Sequence, residues 1–230
     1  MSDRAQTISY SSGSLSSEQR NKVLKNTYML LALSLVPSVL GAWLGVATGL
    51  GQALSGGIGF ILFLVGAMGF IFLIEKNKNS ALGVPILLGF TFFMGLMLSR
   101  MIGHVLGLAN GANLIMTAFG GTSLVLFAMS TLASTIKRDL SGMSQWLFVG
   151  FIALMIGSII NLFVGSSIGM MVISTLGLFL FSAYLLFDLK NIIDGGEDNY
   201  ISATLSIYLN LINIFQSLLA LLGIFGGERE

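Results

Sequence analysis

Residues 146–164 read WLFVGFIALMIGSIINLFV, nineteen residues without a charge. At about 1.5 Å of rise per residue such a run makes a helix that crosses the roughly 30 Å hydrocarbon core of a bilayer. Nothing in it offers water a polar face. Working outward, comparable apolar stretches run from Thr27 to Thr48, Ala53 to Ile74, Leu82 to Leu98, Ala112 to Ile136, Ile168 to Phe187 and Ala203 to Phe225. The third is the shortest at 17 residues, with Pro85 near its start; proline is tolerated in a first helical turn because the donor it removes was unpaired anyway. Seven spans of about 20 residues and their short loops consume most of the 230 residues. The sequence therefore predicts an all-α membrane protein, a seven-transmembrane-helix bundle over residues 27–230, preceded by a flexible, cytosolic, Ser-rich tail at 1–26.

Composition agrees: 55% of the residues are hydrophobic and 9% charged, where a soluble domain carries about a quarter charged. The formal net charge of +1 leaves no basic surplus for nucleic-acid phosphates, so nucleic acid is excluded as a partner and the lipid bilayer is the expected one. With no cysteine, disulfides, thiol catalysis and thiolate metal sites are excluded. The tail shows no apolar core followed by a small-residue cleavage site, so it reads as retained.

Orientation follows from the cations. Arg4, Arg20, Lys22, Lys25, Lys76, Lys78, Lys137, Arg138 and Lys190 fall on one side of the seven spans, and only Arg100 and Arg229 on the other. The positive-inside rule then puts the amino terminus in the cytosol and the carboxyl terminus outside. Arg100, Trp43 and Trp146 read as interfacial anchors near span ends. The 29 glycines, among them Gly41 with Gly45, Gly59 with Gly66 and Gly165 with Gly169, read as close helix packing, and Pro37 as a kink in the first helix.

The last span is the informative one. Ala203, Ser206, Asn210, Asn213, Ser217 and Ala220 recur at three- and four-residue steps and share one face. Amides facing lipid are costly, so this face must turn toward other helices or a wet cavity, which makes the helix central. The stripe serves either as interhelical glue or as part of a sensing or permeation path. Asp188 ends the sixth apolar run one turn after Tyr184, so the two share a face near the cytosolic boundary. There the aspartate is either simply hydrated or a proton-sensitive gate packed on the polar stripe. Asp194, Glu197 and Asp198 follow around two glycines. Their spacing fails the EF-hand pattern, which leaves a solvated acidic turn or a protein-docking loop.

Gly165-Ser-Ser-Ile-Gly169 formally matches the nucleophile-elbow pattern, and the single histidine, His104, falls in a loop on the same side. That motif needs a strand-turn-helix context that a helical bundle does not offer, and one histidine does not make a catalytic metal site. Neither an enzyme nor a cofactor is expected.

The run Phe187-Asp-Leu-Lys-Asn-Ile-Ile-Asp-Gly-Gly-Glu-Asp-Asn-Tyr-Ile201, followed by Ser206-Ile-Tyr-Leu-Asn-Leu-Ile-Asn-Ile-Phe215, resembles the Bax inhibitor-1 family, specifically its bacterial YccA branch. Lys25-Asn-Thr-Tyr28 and Gly120-Gly-Thr122 extend the likeness over nearly the whole chain. The resemblance implies a seven-helix bundle with a central last helix in the bacterial inner membrane. It also implies association with the membrane AAA protease FtsH, whose degradation of other membrane proteins such members restrain. The exposed tail, with Arg20 and Lys22, is then a handle for an ATP-driven protease, and Asp194, Glu197 and Asp198 are docking candidates. Other family members are pH-sensitive calcium leaks that pair an aspartate in the sixth helix with one in the seventh. Here Asp188 matches the first, but Asn210 stands at the second, which removes the like-charge pair. The arginine of such members' second helix has no counterpart between Ala53 and Ile74. A pH-sensitive cation (calcium) leak channel, or a small-solute transporter, is accordingly the alternative.

Overall fold

The computed structural model describes residues 16–53 and 56–227, which fold into eight helices. These are α1 (Ser17–Thr48), α2 (Leu50–Ala53), α3 (Gly57–Asn77), α4 (Gly83–Leu106), α5 (Gly111–Thr135), α6 (Met143–Val164), α7 (Ser167–Asp194) and α8 (Tyr200–Gly227). All except the four-residue α2 are long and apolar enough to cross a membrane, which gives seven spans. The described residues contain no strand.

Helix α8 is the most buried span and packs on α7, α5, α1, α4 and α3. The polar stripe explains why: Ala203, Asn210 and Ser217 are buried, and Asn213 and Ala220 half-buried. Helix α6 sits at the opposite extreme, packed on α7, with Trp146, Phe148, Ile160 and Phe163 exposed to the lipid phase.

Without a hydrophobic drive between helices in lipid, close van der Waals contact has to hold the bundle together. The most extensive contact, α1 on α4, is built that way. A Cβ on Gly41 would overlap the carbonyl oxygen of Phe92, and one on Gly95 the carbonyl oxygen of Ser38. Each backbone thus lies against a glycine of the other. Inside the bundle the Tyr208 hydroxyl meets Ser38 Oγ at 2.8 Å and donates to the Thr91 carbonyl at 3.3 Å, which ties α8 to α1 and α4. The Tyr208 ring packs edge-on against Phe90, with centroids 6.1 Å apart. Tyr208→Phe keeps the ring and removes these bonds. Its expected cost in a detergent-unfolding titration is about 1 kcal/mol, in the range of membrane interhelical hydrogen bonds. Tyr208→Ala, which empties the site, is expected to cost about 3–5 kcal/mol.

The boundaries of α1 and α4 differ from the sequence reading. Helix α1 starts at Ser17, ten residues before Thr27, so the second part of the expected flexible tail is helical; Arg4 and the rest of residues 1–15 lie outside the described residues. The start is fixed by a capping box: Ser16 Oγ accepts from Gln19 N–H at 3.2 Å and Gln19 Oε1 accepts from Ser16 N–H at 2.9 Å. The 32 residues of α1 make a helix of roughly 48 Å, far longer than the bilayer core. Helix α4 is 24 residues long, not 17, so Arg100 lies within it and His104 is in its last turn rather than in a loop. Pro37 lies inside the continuous α1.

Candidate functional site

The residues singled out near the α7–α8 turn do come together at one end of the bundle. Asp188 is 21 residues from Ser167, or roughly 32 Å along α7, which is the far edge of a hydrocarbon core of about 30 Å. Asn210 Nδ2 donates to its Oδ2 at 2.7 Å, so the carboxylate is held on the polar stripe of α8. Asp188 also lines a recess of about 20 Å³ with Asn191, Ile192, Glu197, Ala203 and Ser206. That volume admits about one water. Ser206, exposed within an otherwise buried turn of α8, opens the recess to the solvent at this end.

Two of the candidates stand apart from this pair. Asn213 turns its amide back onto its own helix, donating to Leu209 O at 2.7 Å. Tyr184 is half-buried and stacks on Phe181, with centroids 6.3 Å apart, so sharing a face with Asp188 produces no hydrogen bond between them.

Around the recess lies a polar collar. Arg20 Nη1 donates at 3.4 Å to the carbonyl of Ile193, one of the last-turn carbonyls of α7 that a helix leaves unpaired. A cation there also complements the negative end of the helix dipole. Lys190, nearly buried, is paired with Asp194 at 2.7 Å. Glu197 accepts from Asn199 N–H at 2.8 Å, while Asp198 and Lys22 are exposed.

Four participants escaped the sequence reading. Asn199 caps α8: its Oδ1 accepts from the N–H groups of Ile201 at 2.9 Å and Ser202 at 3.3 Å. Its Nδ2 reaches Lys78 O at 3.1 Å and Asn79 Oδ1 at 2.8 Å in the α3–α4 loop. An asparagine just before a helix start is a readable capping signal. Ser202 donates to Glu75 Oε1 at 2.9 Å, and Glu75 pairs with Lys78 at 2.9 Å, which leashes α3 to α8. The hydrogen bonds that Glu75 and Lys78 share hold the Lys78 ammonium above its usual range.

At the other end of α7 the nucleophile-like pentapeptide resolves into a stop and a start. Gly165 closes α6 in the left-handed conformation, with φ 65°, and Ser166 caps α7 by accepting from Gly169 N–H at 3.1 Å. Gly165 is a helix cap, where the sequence reading has it in helix packing. No described histidine or carboxylate lines the cavity that Ser167 faces. Among the described residues no group of three His, Asp or Glu side chains is placed to hold a metal ion.

Six spans wound on a polar-striped seventh, with the Asp188 carboxylate held on that stripe, define a polytopic integral membrane protein. The family described as "Inhibitor of apoptosis-promoting Bax1" matches residues 20–227, and the chain belongs to this Bax inhibitor-1 family. It is 38% identical over 203 residues to the Escherichia coli K12 protein named "Modulator of FtsH protease YccA", covering 88% of this chain and 90% of that one. It is 39% identical over 211 residues to an uncharacterized membrane protein of Vibrio cholerae, covering 91% and 92%. A Pseudomonas aeruginosa protein is 38% identical over 221 residues, covering 95% and 97%.

Proposed function

We propose that this chain is a non-enzymatic inner-membrane partner of the AAA protease FtsH that restrains its degradation of other membrane proteins. The observation that carries the reading is the 38% identity, along nearly the full length of both chains, to a protein named as a modulator of that protease. The cation distribution supports an amino terminus in the cytosol and a carboxyl terminus outside. In that orientation the Arg20–Asp194–Glu197–Asp198 collar faces the compartment where an AAA ring works, and residues 1–15, just ahead of the capped start of α1, form the handle it grips.

The test is the half-life of a short-lived membrane substrate of FtsH in bacterial cells, with and without excess of this chain. Excess chain is expected to lengthen that half-life and to co-purify with the protease. Deleting residues 2–15 spares the Ser16–Gln19 capping box and is expected to abolish the effect while the protein still reaches the membrane. An unaltered half-life with the full chain sinks the proposal. An unaltered effect after the deletion removes the tail from it.

A second reading, a cation leak, is favoured by one observation: a carboxylate at the membrane boundary, held on the central helix and open to solvent through the Ser206 recess. Its test is cation flux in proteoliposomes, which Asp188→Asn is expected to abolish.

A further inference from the structure

A second cavity lies far from Asp188, where α6 turns into α7. Its volume is about 410 Å³, and it is lined by Ser158, Asn161, Leu162, Gly165, Ser166, Ser167, Met170, Ile173 and Ile224. That is the size of a small-molecule site. It opens between α6, α7 and the end of α8, beside Leu162, Phe163 and Ile168, which are exposed to the lipid phase. Its visitors therefore come from the bilayer.

The lining is graded along the membrane normal. Helix α6 has 22 residues and is roughly 33 Å long, slightly more than the hydrocarbon core. Asn161, three residues from its end, sits roughly 4.5 Å inside that end, at the depth of lipid ester groups. Met170 and Ile173 continue the wall one and two turns down α7, where only methylenes reach. One end of the cavity is thus polar and the other apolar.

The amide of Asn161 asks for a partner. Its Oδ1 lies against Gly169, where a Cβ would overlap it. None of the neighbouring hydroxyls pairs with it: Ser158 donates to Leu154 O at 2.8 Å, Ser166 accepts from Gly169 N–H at 3.1 Å and keeps its own proton free, and Ser167 makes no bond to Asn161. Among the described residues no protein group accepts from Asn161 Nδ2. An amide left unpaired at the lipid face is costly, and an oxygen acceptor at this depth relieves the cost.

We propose that this cavity is a binding site for one glycerophospholipid, with an ester or phosphate oxygen accepting from Asn161 and the free proton of Ser166, and an acyl chain along Met170, Ile173 and Ile224. Neither the membership of the family nor the proposed action on a protease requires such a site.

The test is native mass spectrometry of the full chain, taken from vesicles of phosphatidylethanolamine and phosphatidylglycerol into mild detergent. The wild-type chain is expected to retain one phospholipid. Asn161→Leu is expected to lower the retained fraction about fivefold, the change expected of one lost hydrogen bond. Asn113→Leu, which alters an exposed asparagine near the same end of α5, is expected to leave it unchanged. No retained lipid, or equal retention in Asn161→Leu, overturns the proposal. Should Asn161→Leu fail to fold, Leu162→Trp in a chain carrying Trp43→Phe and Trp146→Phe reads the same site by quenching with acyl-brominated phospholipid. Quenching that saturates at low mole fraction supports the site. Quenching that only follows bulk lipid overturns it, as does a cavity holding water or detergent alone.

Discussion

Gly95→Ala lowers the stability of this protein, and Gly95→Val prevents most of it from accumulating folded in the membrane. The expectation rests on what the new Cβ meets. At Gly95 it meets the carbonyl oxygen and carbon of Ser38, and at Gly41 the carbonyl of Phe92. Both are backbone atoms in the middle of a helix, so no rotamer change relieves the overlap and α1 and α4 must separate. Overpacking a tight core costs about 1–3 kcal/mol where side chains can shift; here the cost is at or above the upper end. Close approach also permits Cα–H···O contacts, each worth about 0.5–1 kcal/mol, which separation forfeits. The control is Gly157 on α6, where a Cβ meets nothing within 4 Å. There Gly→Ala is expected to be neutral or to stabilise by up to about 1 kcal/mol, the difference in helix propensity. Thermal midpoints of the purified proteins read both signs. At about 2–4 °C per kcal/mol for a chain of this size, Gly95→Ala should fall by roughly 6–12 °C. A Gly95→Ala midpoint equal to that of Gly157→Ala would show that α1 and α4 do not meet as described.

Gly41 and Gly45 show what a sequence can and cannot disclose. Their four-residue spacing announces a close-packed face, but which helix meets that face is fixed by tertiary packing that the spacing does not encode. The seven spans were legible because a bilayer imposes one rule everywhere, about 20 apolar residues per crossing. Their ends were less legible because apolar runs end where charge begins, while helices end where backbone hydrogen bonding stops. Helix α4 runs past Arg100 and His104 for this reason: a long cationic stem can reach the interface without breaking the helix. Helix α1 starts at Ser17 because Ser16 and Gln19 satisfy each other's backbone donors, a polar signal to which hydropathy is blind.

The site was legible in part. The stripe from Ala203 to Ala220 correctly marked α8 as the central helix. The meeting of Asp188 with Asn210 depends on the register of the α7–α8 hairpin, to which the residues give no local clue; the family resemblance alone pointed to the pair. Asn213, on the same stripe, satisfied its amide locally instead. Ser and Asn side chains in membranes have that choice, and periodicity does not reveal which they take.

The Asp188–Asn210 bond separates a structural clasp from a working group. Asp188→Ala leaves the buried Asn210 amide without its acceptor, and the expected loss is about 1–3 kcal/mol, the desolvation penalty of an orphaned donor. Asn210→Leu strands the carboxylate instead and is expected to cost at least as much. The double variant Asp188→Ala with Asn210→Leu removes both orphans together, so it should lose less than the sum, by an interaction energy of about 0.5–3 kcal/mol. Strict additivity in unfolding titrations would mean that the two side chains do not pair in the membrane. Asp188→Asn is the decisive variant because it keeps an oxygen acceptor for Asn210 while abolishing the charge and the titratable proton; its stability is expected to stay within about 1 kcal/mol of wild type. Function can then be read apart from folding. A cation leak through this site requires flux in proteoliposomes between about pH 6 and pH 8 that Asp188→Asn abolishes. A protease modulator that uses Asp188 only to clamp α7 onto α8 keeps its full effect on substrate half-life in Asp188→Asn and loses it in Asp188→Ala. The carboxamide at position 210 favours the second pattern, because it sets a donor against Asp188 where a second carboxylate would share the proton, and Glu197, the other carboxylate of the recess, is engaged by Asn199 N–H.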